Sequence, residues 1–198
     1  LPRILHILPH GGGGGEAIVD LLAGIEDFEH RRVHLSNTRK PHLAPPSLAA
    51  GLSRARREAM GADLLHVVGD TSALLCAGLL RRHPAVWATH GLSLLRRARR
   101  PVRGPVRRGV RSVVARTRRT VCSSRLELDE LAAMVGPVLV PKLVEVANGI
   151  PLPDAVTAGE RAATRHRLGV GDEALLALYL GGLEAAKRPL DAVEAAVE

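Results

Sequence analysis

The chain has 198 residues, 46% of them hydrophobic, enough for a sizeable core in one or two domains. Its net charge of +8 is local: Arg96 to Arg119 holds eleven arginines and no acid, while the remainder sets 17 basic residues against 20 acidic ones. One Trp, one Tyr and one Phe leave too little aromatic surface for base stacking, which argues against nucleic acid as a partner and for a confined basic patch. No run approaches the ~20 apolar residues of a membrane span. No signal-peptide pattern is visible, and Cys76 and Cys122 lack the spacing of a disulfide scaffold or a zinc cage. The expectation is a cytoplasmic protein. With no initiator Met and an end inside the helical pattern of Asp191–Glu198, the sequence is expected to be a piece of a longer protein.

Ile4–Leu8 reads as a buried strand, Gly11–Gly15 as a glycine loop, and Ala17, Ile18, Leu21, Leu22 and Ile25 as the apolar face of a helix starting near Gly15 or Glu16. Such a loop, stripped of Cβ atoms, presents bare N–H groups at a positive helix end, where an anion or a sugar can approach the main chain. A flexible turn is the plainer alternative. Arg32–Ser36 is a second strand, Pro41–Pro46 a loop and Ser47–Ala59 a helix with Arg54, Arg56 and Arg57 toward solvent. Leu64–Val68 is a third strand. Gly69-Asp70-Thr71-Ser72 carries oxygens suited to capping a helix that runs toward Arg82. Ala85–Thr89 is a fourth strand, ending at His90-Gly91. The arginine segment, interrupted by Pro101 and Pro105, predicts a loop followed by a helix, then a strand at Thr120–Cys122. Ser123-Ser124 caps Leu126–Val135, and Leu143–Val146 is a sixth strand closed by Asn148-Gly149.

Alternation of strands and helices predicts a Rossmann-like α/β fold, a parallel sheet with helices on both faces, whose ligand crevice lies at the carboxyl ends of the strands. Gly11–Gly15, Asp70, His90, Ser123 and Asn148 all fall at such ends. Composition shifts at Pro151-Leu152-Pro153. A helix bearing Arg161, Arg165 and Arg167, a strand at Leu175–Leu180 and a helix from Arg188-Pro189 then predict the first strand–helix unit of a second such domain. The expected domains are residues 1–152 and 153–198.

Gly12, Gly14 and Ala17 can be forced into a dinucleotide fingerprint, but Ser36-Asn37-Thr38 stands where an acidic ribose ligand belongs, which disfavours NAD. His30 and His34 flank a strand, there is no HExxH and no G-x-S-x-G elbow, so neither a metal site nor that type of hydrolase is expected. His90, followed by glycine at a strand end, can both donate to and accept from a sugar hydroxyl. A capping or core histidine is its alternative reading.

Five pieces in order resemble glycosyltransferase family 4 within the two-domain GT-B fold. They are the opening strand with Gly13, Gly14 and Glu16, the tripeptide Thr89-His90-Gly91, the segments Val121–Ser124 and Val146–Pro151, and Tyr179–Lys187, which is similar to the family's Gly-Arg-Leu-x-x-x-Lys-Gly motif. The resemblance spans almost the whole chain. It implies an amino-terminal, acceptor-side domain followed by the start of a donor-binding one, and transfer of a sugar from a nucleotide-sugar to an acceptor with retained configuration and no bound metal or other cofactor. It places Gly13, Gly14 and Glu16 at the donor phosphate or sugar, His90 on the sugar as the catalytic residue and Lys187 on the diphosphate. Asp70, Ser123 and Asn148 are expected at the acceptor side or rim. Gly182 stands where the family carries a phosphate-binding Arg, so either Arg188 takes that place or donor binding is weaker. The family's later paired glutamates are not present, and Glu194 and Glu198 fall too early to fill that role, so this segment alone is expected to be inactive. A non-catalytic sugar- or phosphate-binding α/β domain and a GT-B nucleotide-sugar epimerase are the rival expectations. The arginine segment is either a solvated face or a surface that docks on anionic membrane or a phosphorylated lipid-linked acceptor. Donor base, sugar, acceptor and linkage are not legible.

Overall fold

The structure, a computed structural model, describes residues 1–38, 45–171, 173–181, 183 and 187–196. Expectations for residues 39–44, Gly182, 184–186 and Glu198 fall outside that set. The chain divides into two compact units, Leu1–Ile150 and Pro151–Glu198.

In the first unit the elements run β1 (Arg3–His10), α1 (Gly14–Ala23), β2 (Glu29–Ser36), α2 (Pro45–Ala59), β3 (Leu64–Val68), α3 (Asp70–Leu75), β4 (Ala85–Ala88), α4 (Ser93–Arg97), α5 (Arg100–Arg116), β5 (Arg119–Cys122), α6 (Arg125–Val135) and β6 (Leu143–Glu145). The six strands are parallel in the order β2-β1-β3-β4-β5-β6. The connection leaves β1 toward β2 and then returns past it to β3, so the order reverses between β1 and β3. A crevice opens at such a reversal.

Strand side chains alternate between faces. Leu5, Ile7, Val33, Leu35, Leu65, Val67 and Trp87 point to one face, where α2, α3, α5 and α6 close a single large core with Ala55, Ala73, Val110, Val113 and Leu131. Gly51 makes the α2 approach possible, since a Cβ there would lie 2.1 Å from the Leu35 carbonyl oxygen. The opposite face carries α1, which seats Val19 on Leu8 and Val68 in a separate small cluster. Next to it runs a row of imidazoles. His30 Nε2 donates to the Ile25 carbonyl (3.0 Å), so its Nδ1 accepts from His6 Nε2 (2.9 Å), and His6 Nδ1 in turn accepts from His66 Nδ1 (2.8 Å). With each ring neutral, this one set of tautomers satisfies every bond of the row. Burial, reinforced by the neighbouring His30 and Arg32, pushes His6 down to about 4, and burial with His6 and His90 nearby pushes His66 down to about 3.

Several boundaries differ from expectation for identifiable reasons. Helix α2 begins at Pro45, two residues early, because proline in a first turn loses no helical hydrogen bond. The helix expected to reach Arg82 stops at Leu75 and resumes as a short 3₁₀ turn at Leu79–Arg81. Asp70-Thr71-Ser72 does not cap α3, whose N-cap is Gly69; Asp70 turns to α4 instead. The arginine segment is not a loop followed by a helix. After α4 and a two-residue break, α5 takes in both prolines, with Pro101 in the first turn and Pro105 one turn on. Only the Pro101 carbonyl loses its partner. Val110, Val113 and Val114 on the core and Lys142 Nζ, which donates to the Ala115 (2.6 Å) and Thr117 (2.7 Å) carbonyls, hold the helix against that defect.

The second unit contains α7 (Ala158–Arg167), started by a reciprocal capping box between Thr157 and Glu160, and α8 (Pro189–Glu194). The strand expected at Leu175–Leu180 does not form. A parallel strand exists only by pairing, and among the described residues this unit offers no neighbour; Leu175, Leu178 and Leu180 stand exposed.

Candidate functional site

A cleft of about 740 Å³, within the usual range for small-molecule sites, opens at the carboxyl ends of β1, β3 and β4. Gly12–Gly15 and Glu16 form one wall, Gly69 to Thr71 the floor, and His90, Ser93, Leu94 and Arg97 the other wall.

The glycine wall is shaped by backbone angles that side chains resist. Gly12 has φ +72° and Gly13 φ +127°. The Gly13 carbonyl accepts from the Glu16 (3.1 Å) and Ala17 (3.2 Å) amides, closing the first turn of α1. The Gly14 and Gly15 amides, in that first turn, have no intrahelical acceptor and carry the positive end of the helix. The glycines are not equivalent. A Cβ on Gly14 would meet open space, whereas one on Gly15 would come 2.9 Å from Val68 Cγ1. Gly14 leaves room for a ligand, and Gly15 lets α1 lie on β3.

Glu16 braces this loop. Its carboxylate accepts from the Gly12 amide, from His34 Nε2 (3.0 Å) and from Arg32 Nη1 (3.1 Å). The Gly12 amide, chiefly, holds the carboxyl below the usual carboxylate range. With its oxygens committed, Glu16 positions the loop and does not reach for an anion.

His90 sits in a strained turn. His90 (φ +46°), Gly91 (φ +105°) and Leu92 (φ +46°) are three consecutive residues in the left-handed region, costly for the two that carry side chains. Three anchors hold it. Leu92 is fully buried in the core. Asp70, itself buried, accepts from the Leu94 (2.5 Å) and Leu95 (3.2 Å) amides at the start of α4. On the other side, Glu127 Oε2 accepts from Thr89 Oγ1 (2.7 Å) and from the Ser123 amide and hydroxyl (2.8 Å each). Burial pushes the Glu127 carboxyl up, but bonds from Thr89, Ser123 and the Gly91 amide outweigh it and leave it below the ordinary range. Burial lowers His90 against a counter-pull from Glu127, so the imidazole is neutral at neutral pH.

Glu127 is the residue that sequence reading missed. It stands in the first turn of α6, where it reads as an ordinary N-terminal acid, and its distance from Thr89 in the chain hides the contact. The structure brings Gly13, Gly14, Glu16, Asp70 and His90 together around one cleft. Ser123 is instead occupied with Glu127, and Asn148 is exposed beyond the edge strand β6; neither lines the cleft. Lys187 and Arg188 belong to the second unit. There the Lys187 carbonyl accepts from Tyr179 (3.3 Å), and Arg188 pairs with Asp191. Among the described residues no group of three or more His, Cys, Asp or Glu could hold a metal ion, and no helix is long and apolar enough to cross a membrane.

The fold is shared with solved structures of Anabaena Alr3699/HepE. The complex with UDP matches at TM-score 0.61 and 13% identity, and the complex with UDP and glucose at 0.61 and 15%; each alignment covers 85% of this chain and 50% of that one. The complex with UDP-glucose matches at 0.59 and 13%, covering 84% and 50%. The chain therefore spans about half the length of these relatives, and the likeness establishes the architecture: a Rossmann-like parallel sheet of the GT-B type. No curated protein matches the chain. The model of Glycosyltransferase Family 4 matches residues 7–152, most of the chain and every residue that lines the cleft, and the chain belongs to that family.

Proposed function

We propose that this chain contributes the acceptor-side domain of a glycosyltransferase that moves a sugar from a nucleotide-sugar to an acceptor with retention of configuration. One observation carries the reading. In a family 4 chain, the unpaired amides of α1 and the neutral imidazole of His90 face one cleft at the sheet's reversal point. Departure of a nucleoside diphosphate concentrates negative charge, which the Gly14 and Gly15 amides are placed to stabilise. His90 donates one N–H and accepts at its other nitrogen, which suits a sugar hydroxyl. Glu16, Asp70 and Glu127 act behind these groups by fixing the loops, with Ser123 a partner of Glu127 and Asn148 at the rim. Lys187 and Arg188 are the cations assigned to the diphosphate from the second domain, which begins near Pro153. The complexes of the Anabaena protein with UDP and UDP-glucose support a nucleotide-sugar donor. The reaction needs no resident metal or other cofactor, since amides and cations supply the charge. A cytoplasmic location fits a nucleotide-sugar substrate.

The test is sugar transfer by the full-length protein from a panel of nucleotide-sugars, read as nucleoside diphosphate release. His90→Ala is expected to lower kcat/KM by about 10- to 1,000-fold with the fold intact. Unchanged kcat/KM with reduced thermal stability would assign His90 a purely structural part.

A further inference from the structure

Helix α5 has two unlike sides. Val106, Val110, Val113 and Val114 face the core. Arg100, Arg103, Arg107, Arg108 and Arg111 are all exposed, spread along roughly 17 Å of axis at 1.5 Å per residue and around a broad arc beside the valine stripe. Among the described residues none of these five pairs with a carboxylate, whereas Arg96 on α4 pairs with Glu130 on α6 (2.8 Å). A solvating face usually interleaves both signs, and this one carries a single sign with no acid between Arg96 and Arg119. The run starts at the cleft, since Arg97, three residues before Arg100, lines its wall. Val102, at the same end, exposes half its surface.

We propose that the exposed arginine surface of α5 docks this chain on an anionic lipid bilayer, with the mouth of the cleft turned to the headgroup region. An exposed run of cations along one helix, with an apolar residue at one end, matches an extended sheet of anionic headgroups. The aromatic platforms that a nucleic-acid surface would use are missing from it. Each arginine near such a surface raises partitioning by about fivefold, so five acting together give on the order of a thousandfold. Docking is independent of whether the cleft transfers sugar.

The test is co-sedimentation of the 198-residue chain with vesicles of phosphatidylcholine alone or with about one-third phosphatidylglycerol, at about 0.05 M and about 0.5 M salt. Binding to the anionic vesicles at low salt, lost at high salt and absent from neutral vesicles, is expected. The triple variant R103Q/R107Q/R111Q should weaken it by about 100-fold. R54Q/R56Q/R57Q, which removes the same charge from exposed positions on α2, should weaken it by less than about threefold. Circular dichroism establishes that both variants fold. Equal weakening by the two variants would mean that net charge alone binds, and would overturn the docking face. Failure to bind anionic vesicles, or preference for a duplex oligonucleotide added as competitor, would overturn it as well.

Discussion

Acid should destabilise this chain before its carboxylates begin to titrate. His6 and His66 are buried and neutral in the folded state, at about 4 and about 3, against 6.5 for the free side chain. The folded state thus binds fewer protons than the unfolded one. The contribution is fully present above pH 6.5 and is lost as pH falls from there toward 4. Integrated from about pH 8 to about pH 5, each imidazole costs about 2 kcal/mol, so the pair costs about 4 kcal/mol. That is a large share of the roughly 5–15 kcal/mol typical of a domain. His90, also lowered by burial, works in the same direction. Glu29 and Glu127, lowered from 4.5, lose their contributions only below that value, so the interval from about 6.5 to 5 isolates the histidines. Urea unfolding followed by circular dichroism at about pH 8 and about pH 5 measures the difference. His66→Leu should remove about half of the pair's loss, because His6 still titrates. A free energy that changes by less than about 1 kcal/mol across the interval would refute the buried neutral row.

Other outcomes follow from the loops. Gly15→Ala should lower stability by about 1–3 kcal/mol through its clash with Val68, whereas Gly14→Ala, in open space within α1, should raise it by about 0.5–1 kcal/mol. Urea midpoints of the two variants separate these directions, and under the proposed function Gly14→Val should abolish sugar transfer while the fold survives. His90→Gly should relieve the left-handed strain and raise stability by about 1 kcal/mol while removing the imidazole from the cleft, a gain in thermal midpoint coupled to a loss of kcat/KM.

The sheet was legible because buried parallel strands are written as short apolar runs. Ile4–Leu8, Leu64–Val68 and Ala85–Thr89 need no tertiary information to be found, and each overlaps an observed strand. The glycine loop and His90 were legible for a related reason, since strand carboxyl ends in this architecture converge. What stayed hidden depends on distance in the chain. His6, His30 and His66 are separated by up to sixty positions and become one hydrogen-bonded row only when β2, β1 and β3 line up. Glu127 and Asp70 look like ordinary first-turn acids, yet they grip a turn that belongs to neither helix. Propensity misjudged Pro105 because it weighs an isolated helix, while α5 is held by its valines.

The helix that offers its amides to the cleft is weakly anchored. Only Val19 of α1 is fully buried, and its cluster with Leu8 and Val68 is separate from the main core. Opening α1 therefore sacrifices one small apolar contact patch and leaves the rest of the sheet packed, so it should exchange amide hydrogens far faster than α5 or β3. An anion settling on Gly14 and Gly15 would suppress that opening, and part of its binding free energy would go into ordering the helix. Affinity at this wall then depends on the residues that stiffen α1 from behind as much as on those that touch the ligand. Glu16, Arg32 and His34 set how much disorder the incoming anion must remove.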